Sequence, residues 1–142
     1  MPNGLRWQKR RLCKFGEQGS EVFLTEKRNN RALGTQKENI AAEFLQKQGY
    51  TIVQMNFRCR QGEIDIIATD EQYLVFVEVK YRADGHCGNP GEAIDFRKQN
   101  KIYRVAEYYL YNSRLPQDTP CRFDAVIIEG DNITLIKDAF GM

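Results

Sequence analysis

The chain has 142 residues, 42% of them hydrophobic and 28% charged, with 21 Lys and Arg against 19 Asp and Glu. That length supports one domain around a single hydrophobic core and leaves no room for a second independent one. There is no run of roughly 18 apolar residues, and the N-terminus lacks the apolar core and small-residue cleavage site of a signal peptide, so the expectation is a cytoplasmic protein with no membrane partner.

The first segment in chain order is basic. Residues 1–32 carry a balance of +5 and residues 33–142 a balance of −3, within a net charge of +2. The boundary is therefore drawn between a basic N-terminal extension, 1–32, and a slightly acidic domain, 33–142. Such an arm either neutralises phosphates and speeds encounter with nucleic acid or stays a solvated, partly disordered tail. The four cysteines, at 13, 59, 87 and 121, form no CxxC pair, which argues against a zinc knuckle or disulfide framework and for buried reduced thiols.

Thr35-Gln36-Lys37-Glu38 has the form of a capping box, followed by Ile40, Ala41, Phe44 and Leu45 at helical spacing, and Gly49 ends the helix. Tyr50 to Phe57 reads as a strand. Glu63 to Ala68 and Tyr73 to Tyr81 read as a β-hairpin about the polar segment Thr69 to Gln72. Asp84 to Gly91 is a loop, with Asn89-Pro90-Gly91-Glu92 able to start a short turn. A long helix runs from around Asp95 to Asn112, and Arg122 to Glu129 and Asn132 to Lys137 are two strands about Gly130-Asp131. The order α-β-β-β-α-β-β describes an α/β (α+β) domain, one sheet flanked by helices.

The hairpin holds the residues that carry chemistry. Side chains alternate along a strand, so Glu63, Asp65 and Ile67 share one face, as do Leu74, Phe76, Glu78 and Lys80 on the partner. A loop at Asp70 to Tyr73 sets Asp65 opposite Glu78, whereas a loop at Thr69 to Gln72 shifts the pairing by two residues; either register keeps the carboxylates on one side. Opposed Cβ atoms lie roughly 4.5 to 5.5 Å apart, within reach of one divalent ion. The flanking Ile64, Ile66, Ile67, Val75, Val77 and Val79 make these strands central, where a carboxylate must be paired or bind an ion. Oxygen ligands favour Mg²⁺ or Mn²⁺ over zinc. Lys80, two residues beyond Glu78, points the same way and is placed to hold a phosphate. A solvated Glu78–Lys80 ion pair is the ordinary explanation of an isolated E-x-K triplet, but it does not call for Gly62-Glu63-Ile64-Asp65 a hairpin's length upstream.

Gly62-Glu63-Ile64-Asp65-Ile66-Ile67 followed by Val75-Phe76-Val77-Glu78-Val79-Lys80-Tyr81-Arg82 resembles the motif of the small YraN-type proteins, whose fold is similar to that of Holliday-junction resolvases in the PD-(D/E)XK nuclease superfamily. The resemblance covers about residues 33–142. It includes Gly34, Lys37, Glu38 and Ala41, Asn56-Phe57-Arg58-Cys59-Arg60, Lys98-Gln99, Arg122-Phe123-Asp124 and Ala139-Phe140. It implies a central mixed sheet in a restriction-endonuclease-like α-β-β-β-α-β core. In that core Asp65 and Glu78 bind the metal with the Val79 carbonyl, Lys80 is the catalytic lysine and Glu38 completes the acidic cluster. The capping box alone also explains Glu38, and Glu63 is at most a supporting neighbour.

Arg58, Arg60, Arg82, Arg97, Lys98 and Lys101 are the candidate phosphate contacts. Lys98 lies on the apolar stripe between Ile94 and Ile102, and either snorkels to the surface or reaches the active-site end of the sheet. Tyr103, Tyr108, Tyr109 and Tyr111 either stack on bases or pack. Asp124 either supports the site or pairs with Arg122, and His86-Cys87 is too isolated to bind a metal. The leading expectation is an Mg²⁺- or Mn²⁺-dependent endonuclease acting on structured or branched DNA rather than RNA, with a homodimer suited to a two-fold junction. The alternatives are a non-catalytic nucleic-acid-binding module of the same fold and an RNA-processing nuclease.

Overall fold

The computed structural model describes residues 30–82 and 94–141. Helix α1 spans 30–47, and its residues from Lys37 onward belong to the compact unit, Lys37–Met142, that carries the sheet. Five strands follow, β1 Thr51–Cys59, β2 Gly62–Asp70, β3 Tyr73–Arg82, β4 Cys121–Glu129 and β5 Asn132–Ile136, with α2, Phe96–Asn112, between β3 and β4. The expected loop Asp84 to Gly91, the Asn89-Pro90-Gly91-Glu92 turn, His86-Cys87 and the basic extension up to residue 29 lie outside the described residues.

One expected feature is corrected. Thr35-Gln36-Lys37-Glu38 is not a capping box, because α1 is already helical at residue 30. The Thr35 hydroxyl donates to the Arg31 carbonyl at 3.1 Å, the back-bond of a residue inside a helix. Arg31, Ala32 and Leu33 are strong helix formers and carry the helix upstream of the local cap pattern. The far end is as expected. Gly49, at φ 95°, turns the chain, and the amide of Tyr50 reaches back to the Leu45 carbonyl at 3.0 Å.

The strands form one mixed sheet in the order β1-β2-β3-β4-β5. β1, β2 and β3 are a meander. Asp70 pairs with Tyr73 about a two-residue turn in which Glu71 takes a positive φ of 54°. β3 and β4 run parallel, which requires the α2 crossover, and β4 returns antiparallel as β5 about Gly130 at φ 57°. Each face of the sheet has its own core. Ile64, Ile67, Phe76, Phe123 and Ala125 pack against Ile102, Val105, Ala106 and Tyr109 of α2. On the opposite face Ile66, Ala68, Val75, Val77, Val126 and Ile128 pack against Ala41 and Leu45 of α1. The architecture is that of a restriction-endonuclease-like core, a sheet covered by a helix on each side. β3 lies at its centre, buried on both faces as its Val- and aromatic-rich sequence requires.

A polar network ties the sheet together where β2 ends and β4 begins. Arg122 bonds Asp124 at 2.8 Å through Nε and Asp70 at 2.6 Å through Nη2, while Lys137 reaches Asp70 at 2.8 Å. Asp124, fully buried, also accepts from the Tyr50 hydroxyl at 2.8 Å and the Asp138 amide at 2.9 Å. Every charge in this network is met, so it costs the fold no orphaned ion. Its function is anchoring: Asp124 pairs with Arg122 and is not part of the carboxylate pair described next.

Candidate active site

The β2–β3 ladder is regular from Asp70↔Tyr73 to Ile66↔Val77 and stops there. Its register, continued by one step, sets Asp65 opposite Glu78, the first of the two expected alignments. Instead of the next ladder bond, the Val79 amide donates to Asp65 Oδ2 at 2.8 Å. A carboxylate thus stands where a backbone carbonyl would pair, and the two strands part around it.

Asp65 and Glu78 lie close enough to hydrogen-bond when one of them carries a proton. Glu78 is 5% exposed. Burial, then the negative charge of Asp65, pushes the Glu78 carboxyl up to about 7, against the opposing attraction of Lys98 and Lys80. Asp65 is raised too, by burial first, although the Val79 amide, Lys98 and the hydrogen bond to Glu78 oppose the shift. Two carboxyls that both resist ionisation in contact behave as one coupled acid that keeps a proton close to neutral pH.

Three further groups converge here from different elements. Lys98, in the first turn of α2, sets Nζ 3.2 Å from Glu78 Oε1. The sequence left open whether Lys98 snorkels outward or reaches the sheet, and it reaches the sheet. Its position is fixed by Asp95, whose side chain caps α2 by accepting from the Lys98 amide at 2.8 Å. Lys80 follows Glu78 on the same side of β3, half-buried and close enough for its charge to act on Glu78. Glu38 comes from α1. It feels the charges of Asp65 and Glu63, and burial leads these in raising its carboxyl, while an Asn56 hydrogen bond and Arg58 oppose the shift.

The buried side-chain oxygens without a hydrogen-bond partner among the described residues are Glu38 Oε2 and Glu78 Oε2. Such atoms are costly unless something not made of protein satisfies them. No group of three or more His, Cys, Asp and Glu side chains among the described residues closes into a metal cage. What remains is an open arrangement of two carboxylates in contact with a third nearby, the type of oxygen donor set to which magnesium binds through one or two carboxylates while retaining waters.

Beside the pair lies a cleft of about 410 Å³ lined by Arg58, Cys59, Gly62, Glu63, Lys98 and Lys101. Gly62 lets the β1–β2 turn close against α2, since a Cβ there would stand 3.3 Å from Val105 Cγ2 at a φ of 149°. Arg58, Lys98 and Lys101, three of the six expected phosphate contacts, are therefore gathered on one surface. Glu63 pairs with Arg58 at 3.2 Å in an exposed contact of small energetic weight. Arg60 and Arg97 are exposed outside this cleft, and Arg82 pairs with Glu129 at 3.3 Å where β3 and β4 end. Tyr103 and Tyr109 pack against Phe123 and Phe76, whereas Tyr111 stands exposed. Cys59 and Cys121 are free thiols, half-buried rather than fully buried.

Asn56 was not among the sequence candidates. It takes a positive φ of 53° in the middle of β1, and its side chain opposes the rise of the Glu38 carboxyl. An asparagine inside an otherwise strand-forming segment was the available signal, since Asn tolerates that conformation better than its neighbours do.

Residues 37–128 match the model of the uncharacterised protein family UPF0102. A UPF0102 protein of Lachnoclostridium phytofermentans is 53% identical over 112 residues, covering 79% of this chain and 95% of that protein. A UPF0102 protein of Clostridium botulinum strain 657 is 44% identical over 117 residues, covering 78% and 95% respectively. The matched segment contains Glu38, Asp65, Glu78, Lys80 and Lys98, with α1 from Lys37 onward, α2, β1 to β3 and β4 up to Ile128, and the chain belongs to the UPF0102, or YraN, family.

Proposed function

We propose that this protein is a divalent-metal-dependent endonuclease that hydrolyses phosphodiester bonds in structured or branched DNA. The observation that carries the reading is the buried Asp65–Glu78 pair with its orphaned Glu78 oxygen, opening beside a cleft lined by Arg58, Lys98 and Lys101. A surface salt bridge needs neither the burial nor the like-charge contact; a site for a cation beside a phosphate needs both.

In this reading Asp65, Glu78 and the Val79 carbonyl hold Mg²⁺ or Mn²⁺, with Glu38 completing the acidic cluster. When bound there, such an ion would supply a water of lowered pKa and positive charge to meet the charge developing on the phosphate. The chain's own residues do the rest. The Val79 amide holds Asp65 in one orientation, so the ligand is positioned before substrate arrives. Lys80 binds a non-bridging phosphate oxygen from the Glu78 side of β3. Arg58 and Lys101 fix the backbone in the cleft, and Lys98 is shared between Glu78 and the incoming phosphate.

The test is purified protein with linear, single-stranded and four-way-junction DNA and structured RNA, in Mg²⁺, Mn²⁺ or EDTA. Junction cleavage is expected with either ion, abolished by EDTA and reduced at least ~100-fold in Asp65→Asn and Lys80→Ala. Cleavage that survives those substitutions overturns the assignment, and preferential cutting of RNA replaces its substrate. One contact favours a second reading. Lys98 already neutralises Glu78 without any ion, as suits a nucleic-acid-binding module with no turnover; junction binding without cutting would establish it.

A further inference from the structure

β1 and β2 change faces in the middle of their length. Met55 and Ile66, which pair, pack on the α1 side, whereas Phe57 and Ile64, the next regular pair, pack on the α2 side. Phe57 meets the Tyr109 ring edge-on at 5.1 Å, which fixes its side of the sheet. Residues two apart in a regular strand share a face, so both strands rotate by about half a turn between these pairs. The residues at the switch are Asn56 and Asp65, the one position missing from an otherwise continuous register between Gln54↔Ile67 and Cys59↔Gly62.

Asn56 causes the switch on its own strand, since its φ of 53° is a left-handed conformation that few non-glycine residues adopt and that Asn adopts most readily. From that position its side chain is near enough to Glu38 to oppose the burial-driven rise of that carboxyl, and Glu38 Oε2 is buried without a partner. One residue thus stands at the register position facing Asp65 of β2 while its side chain acts on Glu38 of α1.

We propose that Asn56 is a positioning residue for the cation site. Its backbone turns the β1–β2 pair so that Asp65 leaves the ladder at the site, and its amide holds the Glu38 carboxylate towards Asp65. The assignment rests on the metal reading given above. A strand needs no asparagine in the left-handed region to pair with its neighbour, and strain of this kind persists where the surrounding structure uses it.

Two variants separate the backbone from the amide. Asn56→Gly retains the left-handed backbone and removes the side chain, whereas Asn56→Ala removes both. The readout is Mn²⁺ binding by full-length protein, followed by calorimetry and by the ion-dependent rise in melting temperature, with cleavage not involved. Asn56→Gly is expected to melt within a few degrees of the wild type in EDTA and to bind Mn²⁺ about tenfold or more weakly. Asn56→Ala is expected to weaken Mn²⁺ binding at least as much and to melt lower in EDTA. Wild-type protein that binds no Mn²⁺ overturns the metal reading and this assignment with it. Wild-type binding matched by Asn56→Gly overturns this assignment alone, because the amide then does nothing for the site.

Discussion

Glu78 illustrates how a single side chain couples stability to chemistry. Its carboxyl, ordinarily near 4.5, is held at about 7 by burial and by Asp65. A folded-state pKa above the unfolded one means that the native state binds the proton more tightly. Stability is then fully present below the unfolded pKa and falls as pH rises through the window from 4.5 to 7. In EDTA the urea midpoint of the wild type is expected to drop between pH 5 and pH 8, by on the order of a few kcal/mol in unfolding free energy. Glu78→Gln should remove most of that slope and be the more stable protein at pH 8. A flat wild-type profile would mean that the pair is better solvated than its burial implies. Asp70 has the opposite sign. Hydrogen bonds from Lys137 and Arg122 hold its carboxyl below the usual range, so its contribution is present at neutral pH and is lost only in acid. The two carboxylates therefore respond to different regions of the pH scale, one serving the site and the other the anchor.

At the scale of elements, α1 separates local pattern from tertiary fact. Thr35 lies inside the helix with its hydroxyl turned back on Arg31, so Thr35→Ala should change the unfolding free energy by no more than about 0.5 kcal/mol. A true N-cap would cost about 1 kcal/mol, and denaturant titration distinguishes the two. The strands were legible because their signals are local: β-branched runs, period-two alternation and a polar turn segment between Thr69 and Gln72. Two alignments of Asp65 with Glu78 were left open by the sequence, and the Asp70↔Tyr73 closure selects the one that sets them opposite each other. The face switch at Asn56 was not legible, because alternation assumes a regular strand and a single left-handed residue breaks the assumption. For the same reason Glu63, Asp65 and Ile67 do not form one uniform face with Ile64 opposed to them, since Ile64 and Ile67 share the α2-side core. Lys98 was recognised as unusual by its place on an apolar stripe, but its partner depended on how α2 docks, which no local pattern encodes.

At the scale of the whole molecule, the proposed action on nucleic acid requires a chain of small net charge to engage a polyanion. Residues 33–142 carry a balance of −3, yet Arg58, Lys98 and Lys101 gather on one cleft beside the acidic pair. Local concentration of charge, not its total, sets the attraction at distances near a Debye length. Lys101→Ala, exposed and outside the carboxylate contact, should weaken junction binding similarly across sequences and reduce the slope of log affinity against log salt by about 0.9. Anisotropy titrations at several salt concentrations measure this, and an unchanged slope would place the phosphates elsewhere. Among the described residues no helix is long and apolar enough to cross a membrane.

The parallel pairing of β3 with β4 also sets the order in which the molecule can assemble. Asp65 and Glu78 are joined by a hairpin whose turn is two residues, so bringing them together closes a short loop. Leu74 and Cys121, which start the parallel ladder, are separated by the entire α2 crossover, and their pairing must bear a larger loop-closure entropy before any contact rewards it. The acidic pair can therefore meet in a local meander while Lys98 and the α2 core are still undocked. During that interval its like charges are exposed to water and repel only weakly. In that order of assembly the electrostatic strain that distinguishes the finished site would be imposed last, by the helix that also brings its counter-charge.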